Sequence, residues 1–79
     1  MTAKEMFEEL GYRQLKQLKN YKHLLVYEKY DSRFKETSVI TFNTSARVFS
    51  KELNDEGWCI FFPELQAINK QVEELGWNK

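Results

Sequence analysis

The run YKHLLVYEKY, residues 21–30, decides the fold class of this chain. Aromatic, β-branched and other large apolar side chains are interleaved with lysine, histidine and glutamate, and no glycine or proline interrupts them, which is how a strand reads. Three more segments have the same character: ETSVITF (36–42), ARVFSKEL (46–53) and GWCIFF (57–62), separated by DSRFK, NTS and NDE. Aspartate, asparagine and serine mark turns because their short polar side chains bond to nearby backbone. Connections this short join antiparallel neighbours. The middle of the chain is therefore expected to be an antiparallel meander of three or four strands.

Outward from the meander the period changes from 2 to 3.6. Thr2 with Glu5 three positions on makes a capping box, and Ala3, Met6, Phe7 and Leu10 form one apolar helical stripe. Gly11 ends it, because glycine takes the left-handed conformation without a Cβ penalty, and Tyr12 is expected to fold back on Phe7. At the other end Pro63 suits the first helical position. Leu65, Ile68, Val72 and Leu75 give the stripe, with Ala67 and Gln71 flanking it. Gly76 stops this helix and Trp77 is expected to return to Val72.

The echo between MFEELGY (6–12) and QVEELGW (71–77) is thus one helix ending used twice. Glu8, Glu9, Glu73 and Glu74 then stand in final turns, where the helix dipole disfavours negative charge by about 0.3–1 kcal/mol each. Arg13 and Lys79 are near enough to offset part of this; solvation or an acidic recognition patch accounts for the rest. RQLKQLKN (13–20) reads as a connection, with one turn of helix as the alternative. The fold class is α+β, in the order α-β-β-β-(β)-α, with both helices on one face of the sheet and residues 1–79 in one domain.

Composition bounds the function. Seventy-nine residues, 42% hydrophobic and 15% aromatic, suit one small ordered domain. No apolar run approaches the ~20 residues that span a bilayer, and the acidic, amphipathic start is unlike a secretory signal, so a soluble, cytoplasmic protein without membrane contact is expected. Cys59 is the single cysteine and lies in an apolar run, where a buried thiol is expected; no zinc cage can be built from it and His23. Formal net charge is zero. Between residues 13 and 35, however, Arg13, Lys16, Lys19, Lys22, Lys29, Arg33 and Lys35 stand against only Glu28 and Asp31. That basic middle is either a solvated face or a phosphate-contacting patch.

Catalytic chemistry has little support. His23 has no Ser, Cys or carboxylate at a diagnostic spacing, and Gly11, Gly57 and Gly76 are isolated, so no phosphate loop is formed. Asp55 and Glu56 are turn acids. No enzyme, cofactor, metal or small-molecule substrate is expected. The strands offer a different kind of site, since both faces of the sheet carry apolar residues. With Leu24, Val26, Ile40, Phe42 and Val48 turned to the helices, the opposite face carries Leu25, Tyr27, Lys29, Val39, Arg47, Phe49 and Lys51. Aromatics among cations suit an RNA-binding platform, a dimer interface, or a half-apolar sheet with no site.

The sequences MTAKEMFEELGY at the start and ELQAINKQVEELGW near the end resemble a group of small proteins of unassigned function from phages and prophages of Gram-positive bacteria. The resemblance covers about a third of the chain and implies an α-β-β-β-α layout in a cytoplasmic, mobile-element setting. It carries over no catalytic residue. At GWCIFFP a polar helix cap is expected and Phe62 is found. The reading favoured is a small non-enzymatic interaction module binding a protein partner or its own copy through the outer sheet face or edge strand, with Leu25, Tyr27, Lys29, Arg47, Phe49 and Lys51 as candidate contacts. The alternative is a nucleic-acid-binding accessory protein using Tyr27, Phe49, Lys29 and Arg47.

Overall fold

Helix α1 (Ala3–Glu9) is followed by the strands β1 (Arg13–Gln14), β2 (Leu24–Asp31), β3 (Glu36–Asn43), β4 (Val48–Leu53) and β5 (Glu56–Gly57), and helix α2 (Phe62–Glu74) completes the order in a computed structural model that describes residues 1–16 and 22–77. The strands form a single antiparallel sheet in sequence order, β1-β2-β3-β4-β5. The architecture is the expected α+β meander, extended to five strands by the two-residue β1 and β5. RQLKQLKN begins as strand rather than as a helical turn: Arg13 pairs with Glu28 and Gln14 with Tyr27. The rest of that segment from residue 17 lies outside the described residues.

Both helix ends are Schellman motifs. In α1 the Tyr12 N–H donates to Phe7 O at 3.0 Å and Gly11 N–H to Glu8 O at 3.0 Å; in α2 Trp77 N–H donates to Val72 O at 3.2 Å and Gly76 N–H to Glu73 O at 3.0 Å. Gly11 and Gly76 take φ of 93° and 75°, where a Cβ would be strained. The Tyr12 ring meets Phe7 edge-on at 5.8 Å, and Trp77 joins the rim of the core and reaches Phe42 at 6.2 Å. The repeated five residues therefore belong to the fold. Thr2 and Glu5 form the expected capping box.

The cross-strand register settles which face is inside. Leu25 stands opposite Phe42 and Phe42 opposite Phe49; Tyr27, Ile40 and Lys51 form the next row; Lys29, Ser38 and Leu53 form the third. Tyr27, Ile40, Phe42, Phe7, Tyr12, Ala67 and Ile68 make the buried core, so this is the face the helices cover. The expected inner set was right for β3 and inverted for β2 and β4. Leu24, Val26 and Val48 lie on the uncovered face, together with Glu28, Thr41, Ser50 and Glu52. Alternation alone cannot fix the parity of a strand with apolar residues on both sides.

Helix α2 is also turned from the expected orientation. Its buried residues are Glu64, Ala67, Ile68 and Gln71, while Leu65 is exposed and Val72 and Leu75 are half-buried. The stripe runs through its expected flank, because Glu64 and Gln71 find hydrogen-bond partners in the sheet and in Tyr12, just after α1. GWCIFF is not a strand beyond Gly57: residues 58–61 are irregular, and Trp58, Cys59, Ile60 and Phe61 are exposed. The buried thiol expected at Cys59 is thus an exposed one.

The β4–β5 turn is tight. Asn54 and Asp55 have φ of 50° and 67°, and Leu53 pairs with Glu56, which makes a two-residue hairpin loop with both central residues left-handed. Asn54 is also held by β3, accepting from Thr37 N–H at 2.9 Å. Asp55 has no such bond to compensate for its conformation among the described contacts. Asp55→Gly should therefore raise stability by about 0.5–1 kcal/mol, read as a higher urea midpoint at unchanged slope. An unchanged or lower midpoint would contradict this account of the turn.

Candidate functional site

The expected site residues do not form one open face. Tyr27 and Lys51 are 1% and 5% exposed, Leu25 and Lys29 are half-buried under the helices, and Phe49 packs at 6.0 Å on Phe42 at the edge of the same inner face. Arg47 stands apart, exposed at the end of the β3–β4 turn with φ of 58°. The aromatic and basic platform inferred from the sequence is thus mostly the floor of the core.

That floor holds a buried polar network. Lys51 on β4 donates from Nζ to Glu64 Oε1 at 2.7 Å, Tyr12 donates its hydroxyl to Glu64 Oε2 at 2.6 Å, and Phe61 N–H donates to Glu64 Oε1 at 3.0 Å. One carboxylate therefore pairs with the sheet, anchors α1, and caps α2. This is how α2 starts without a polar residue at its cap: Glu64, in the third helical position, supplies half of a capping box from inside the helix. The ammonium of Lys51 also lies 4.6 Å from the Phe61 ring centre. A separate bond joins Tyr27 Oη to Gln71 Oε1 at 2.6 Å, and no buried side-chain polar atom lacks a partner among the described residues.

The environment shifts the titratable groups in the network. Burial works to raise the Glu64 carboxyl, but the Lys51 ammonium, the Tyr12 hydroxyl and the Phe61 N–H outweigh it and hold the group below the usual carboxylate range. Burial, the hydrogen bond to Glu64 and its charge push the Tyr12 phenol well up. Burial, then the charges of Glu74 and Glu8, push Tyr27 up to about 12.

The signs define two limits of stability. Glu64 contributes above pH ~4.5 and its contribution is lost as pH falls through its lowered folded-state value. The tyrosines contribute below pH ~10 and theirs is lost as pH rises; for Tyr27, the interval from ~10 to about 12 corresponds to about 3 kcal/mol. Urea denaturation should show a plateau between these limits and a steep alkaline fall beginning near pH 10. Tyr27→Phe should flatten that fall; an unaltered alkaline limb would show that Tyr27 does not govern it.

A cleft of about 270 Å³ opens where the helices leave the inner face uncovered. Lys29, Asp31, Glu36, Ser38, Lys51 and Leu53 line it from the sheet, Phe34 from the β2–β3 turn, and Trp58 and Phe61 from the segment before α2. Beside it, within residues 58–65, Trp58, Ile60, Phe61, Phe62 and Leu65 are all exposed, with Phe62 at 68%. No lysine or arginine occurs between Lys51 and Lys70. The sequence does not show this exposure, because GWCIFF reads as a strand whose rings are expected to be buried.

Other chemistry is sparse. No cluster of His, Cys, Asp and Glu among the described residues is placed to hold a metal ion, and no described helix is long and apolar enough to cross a membrane. The glutamates of the helix ends have separate surroundings: Glu74 accepts from Ala3 N–H at 2.8 Å, and Glu73 lies 3.6 Å from Lys70. Arg13, expected near the end of α1, pairs instead with Glu28 at 3.4 Å.

The fold and its surface define a small α+β domain with a buried Lys51–Glu64 ion pair beside its aromatic core and an exposed aromatic segment next to a cleft. Compared with known proteins, the chain matches no family model, no curated protein and no solved structure.

Proposed function

We propose that this chain is a small, non-enzymatic protein-interaction module that works in the cytoplasm, in the mobile-element setting that its terminal motifs resemble. One observation supports this most: the exposed rings of Trp58, Phe61 and Phe62 stand together in a stretch of sequence that holds no lysine or arginine. Monomeric soluble proteins rarely expose large contiguous apolar patches, and those they do expose commonly serve contact with other proteins. Rings that bind nucleic acid are normally accompanied by free cations that follow the phosphates. Here Lys51, beside Phe61, is already paired with Glu64, and Lys29, the other lysine of the cleft, lies over the Tyr12 ring. The contact surface therefore moves from the outer sheet face expected at first to the segment before α2.

The test uses the intact chain as bait, with a Trp58→Ser/Phe62→Ser variant as its control. A partner protein, including a second copy of the chain, retained by the first and lost by the second is the expected result. Equal retention by both, or single-stranded nucleic acid bound in a salt-dependent way by the intact chain alone, would overturn the reading.

A further inference from the structure

The exposed aromatic face is sized for a second copy of the same chain. Phe34, Trp58, Ile60, Phe61, Phe62 and Leu65 are between 36% and 68% exposed. At about 200 Å² for a large side chain, they present about 600 Å² of accessible surface per molecule. Two such faces together reach about 1,200 Å², the lower end of the range for specific, stable interfaces. A self-contact also requires that a surface tolerate its own charge. Between Lys51 and Lys70 the ionisable side chains are Glu52, Asp55, Glu56, Cys59 and Glu64, and of these only Cys59 and Glu64 belong to residues 58–65. Glu64 is turned inward and paired. The segment 58–65 therefore brings no unpaired carboxylate to a self-contact, and the charges that line the cleft, Lys29, Asp31, Glu36 and the paired Lys51, are of both signs.

Shape narrows the contact further. The cleft between Phe34, Leu53, Trp58 and Phe61 encloses about 270 Å³, below the ~300–1,000 Å³ typical of pockets for drug-sized ligands, and suits one inserted side chain. Phe62, the most exposed ring among the described residues, follows directly on the Phe61 wall of that cleft. A two-fold axis beside the start of α2 would place each copy's Phe62 at the other's cleft, which is the self-complementary arrangement an isologous contact requires.

We infer that the chain forms a two-fold dimer in which Phe62 of each copy fills the cleft between Phe34, Trp58 and Phe61 of the other. This rests on the interaction-module reading above and names its partner. Filling the cleft would also cover the Phe61 ring that lies over the Lys51–Glu64 pair.

Sedimentation equilibrium across micromolar to several hundred micromolar concentrations tests the inference. The intact chain should dimerise. Phe62→Asp should weaken dimerisation at least a hundredfold, while far-UV circular dichroism stays native, because an exposed acid in the first turn suits a helix N-terminus. Trp58→Ala should weaken it at least tenfold. Tyr30→Ser, which removes an exposed ring from the uncovered face of the sheet, should leave it unchanged. A strict monomer at the highest concentration overturns the dimer, and the bait experiment then decides separately whether a different protein is the partner. Dissociation caused by Tyr30→Ser but not by Phe62→Asp would place the interface on the outer sheet face and equally overturn the inference.

Discussion

Glu64→Ala should lower stability by about 3–5 kcal/mol, because it leaves the Lys51 ammonium buried and without its countercharge. The pair is deeply placed, with side-chain exposures of 2% and 4%. The same substitution removes the acceptor of Tyr12 Oη and the cap of Phe61 N–H, so damage at one position reaches α1, β4 and the start of α2. Changing both charged partners is a different experiment. Lys51→Met with Glu64→Leu removes the desolvation penalty together with the attraction, and such double replacements are often neutral or stabilising by about 1–4 kcal/mol. The double variant should therefore be much more stable than Glu64→Ala, less the contribution of Tyr12, whose hydroxyl loses its partner. Urea denaturation of both variants measures this. If Glu64→Ala costs under ~1 kcal/mol, the network does not hold the fold as described.

Phe7→Ala is the second large effect. The ring is fully buried, stacked on Tyr27 with centres 4.1 Å apart, and edge-on to Tyr12 and Phe42 at 5.8 and 6.2 Å. Truncating a buried phenylalanine costs about 3–5 kcal/mol, as lost transfer free energy plus an unfilled cavity. A domain of this size has only a few kcal/mol in hand. The variant should be largely unfolded at 25 °C, with collapsed amide dispersion in its proton–nitrogen NMR spectrum. Phe7→Leu, which keeps much of the volume, should remain folded. A native spectrum for Phe7→Ala would mean that the aromatic cluster is not the centre of the core.

The same cluster shows how far the sequence could be read. Helix α1 was legible to the residue, since Thr2, Glu5, Phe7, Gly11 and Tyr12 each carry a local rule that no distant contact overrides. The strand order followed from short turns. Parity did not, because Leu24, Leu25, Val26 and Tyr27 offer apolar side chains to both faces, and the choice depends on Phe7 and Ile68 arriving from far along the chain. For α2 the rule that apolar residues face inward pointed to Leu65. The inward positions went to Glu64 and Gln71 because Lys51, Tyr12 and Tyr27 were waiting to bond them. A buried salt bridge has no periodic signature. The candidate site suffered most from this: Lys51 looked like a surface cation, and its partner lies 13 positions away in a different kind of element.

The polar bonds that dock the helices have one further consequence, for the order of assembly. β2, β3 and β4 join through tight turns, so their ladders close small loops, whereas Tyr27–Gln71, Tyr12–Glu64 and Ala3–Glu74 span 44, 52 and 71 residues. Long loops cost entropy before their contacts repay it. The meander should therefore be the early-forming unit and α2 the element that settles last and opens first. Native-state amide exchange should show this as lower protection in the middle of α2 than in the middle of β3. The chain would then pass through a stage in which the inner face of the sheet, with Tyr27 and Phe42, is briefly uncovered, and the doubled Glu-Glu-Leu-Gly ending would be formed at Tyr12 before it is formed at Trp77.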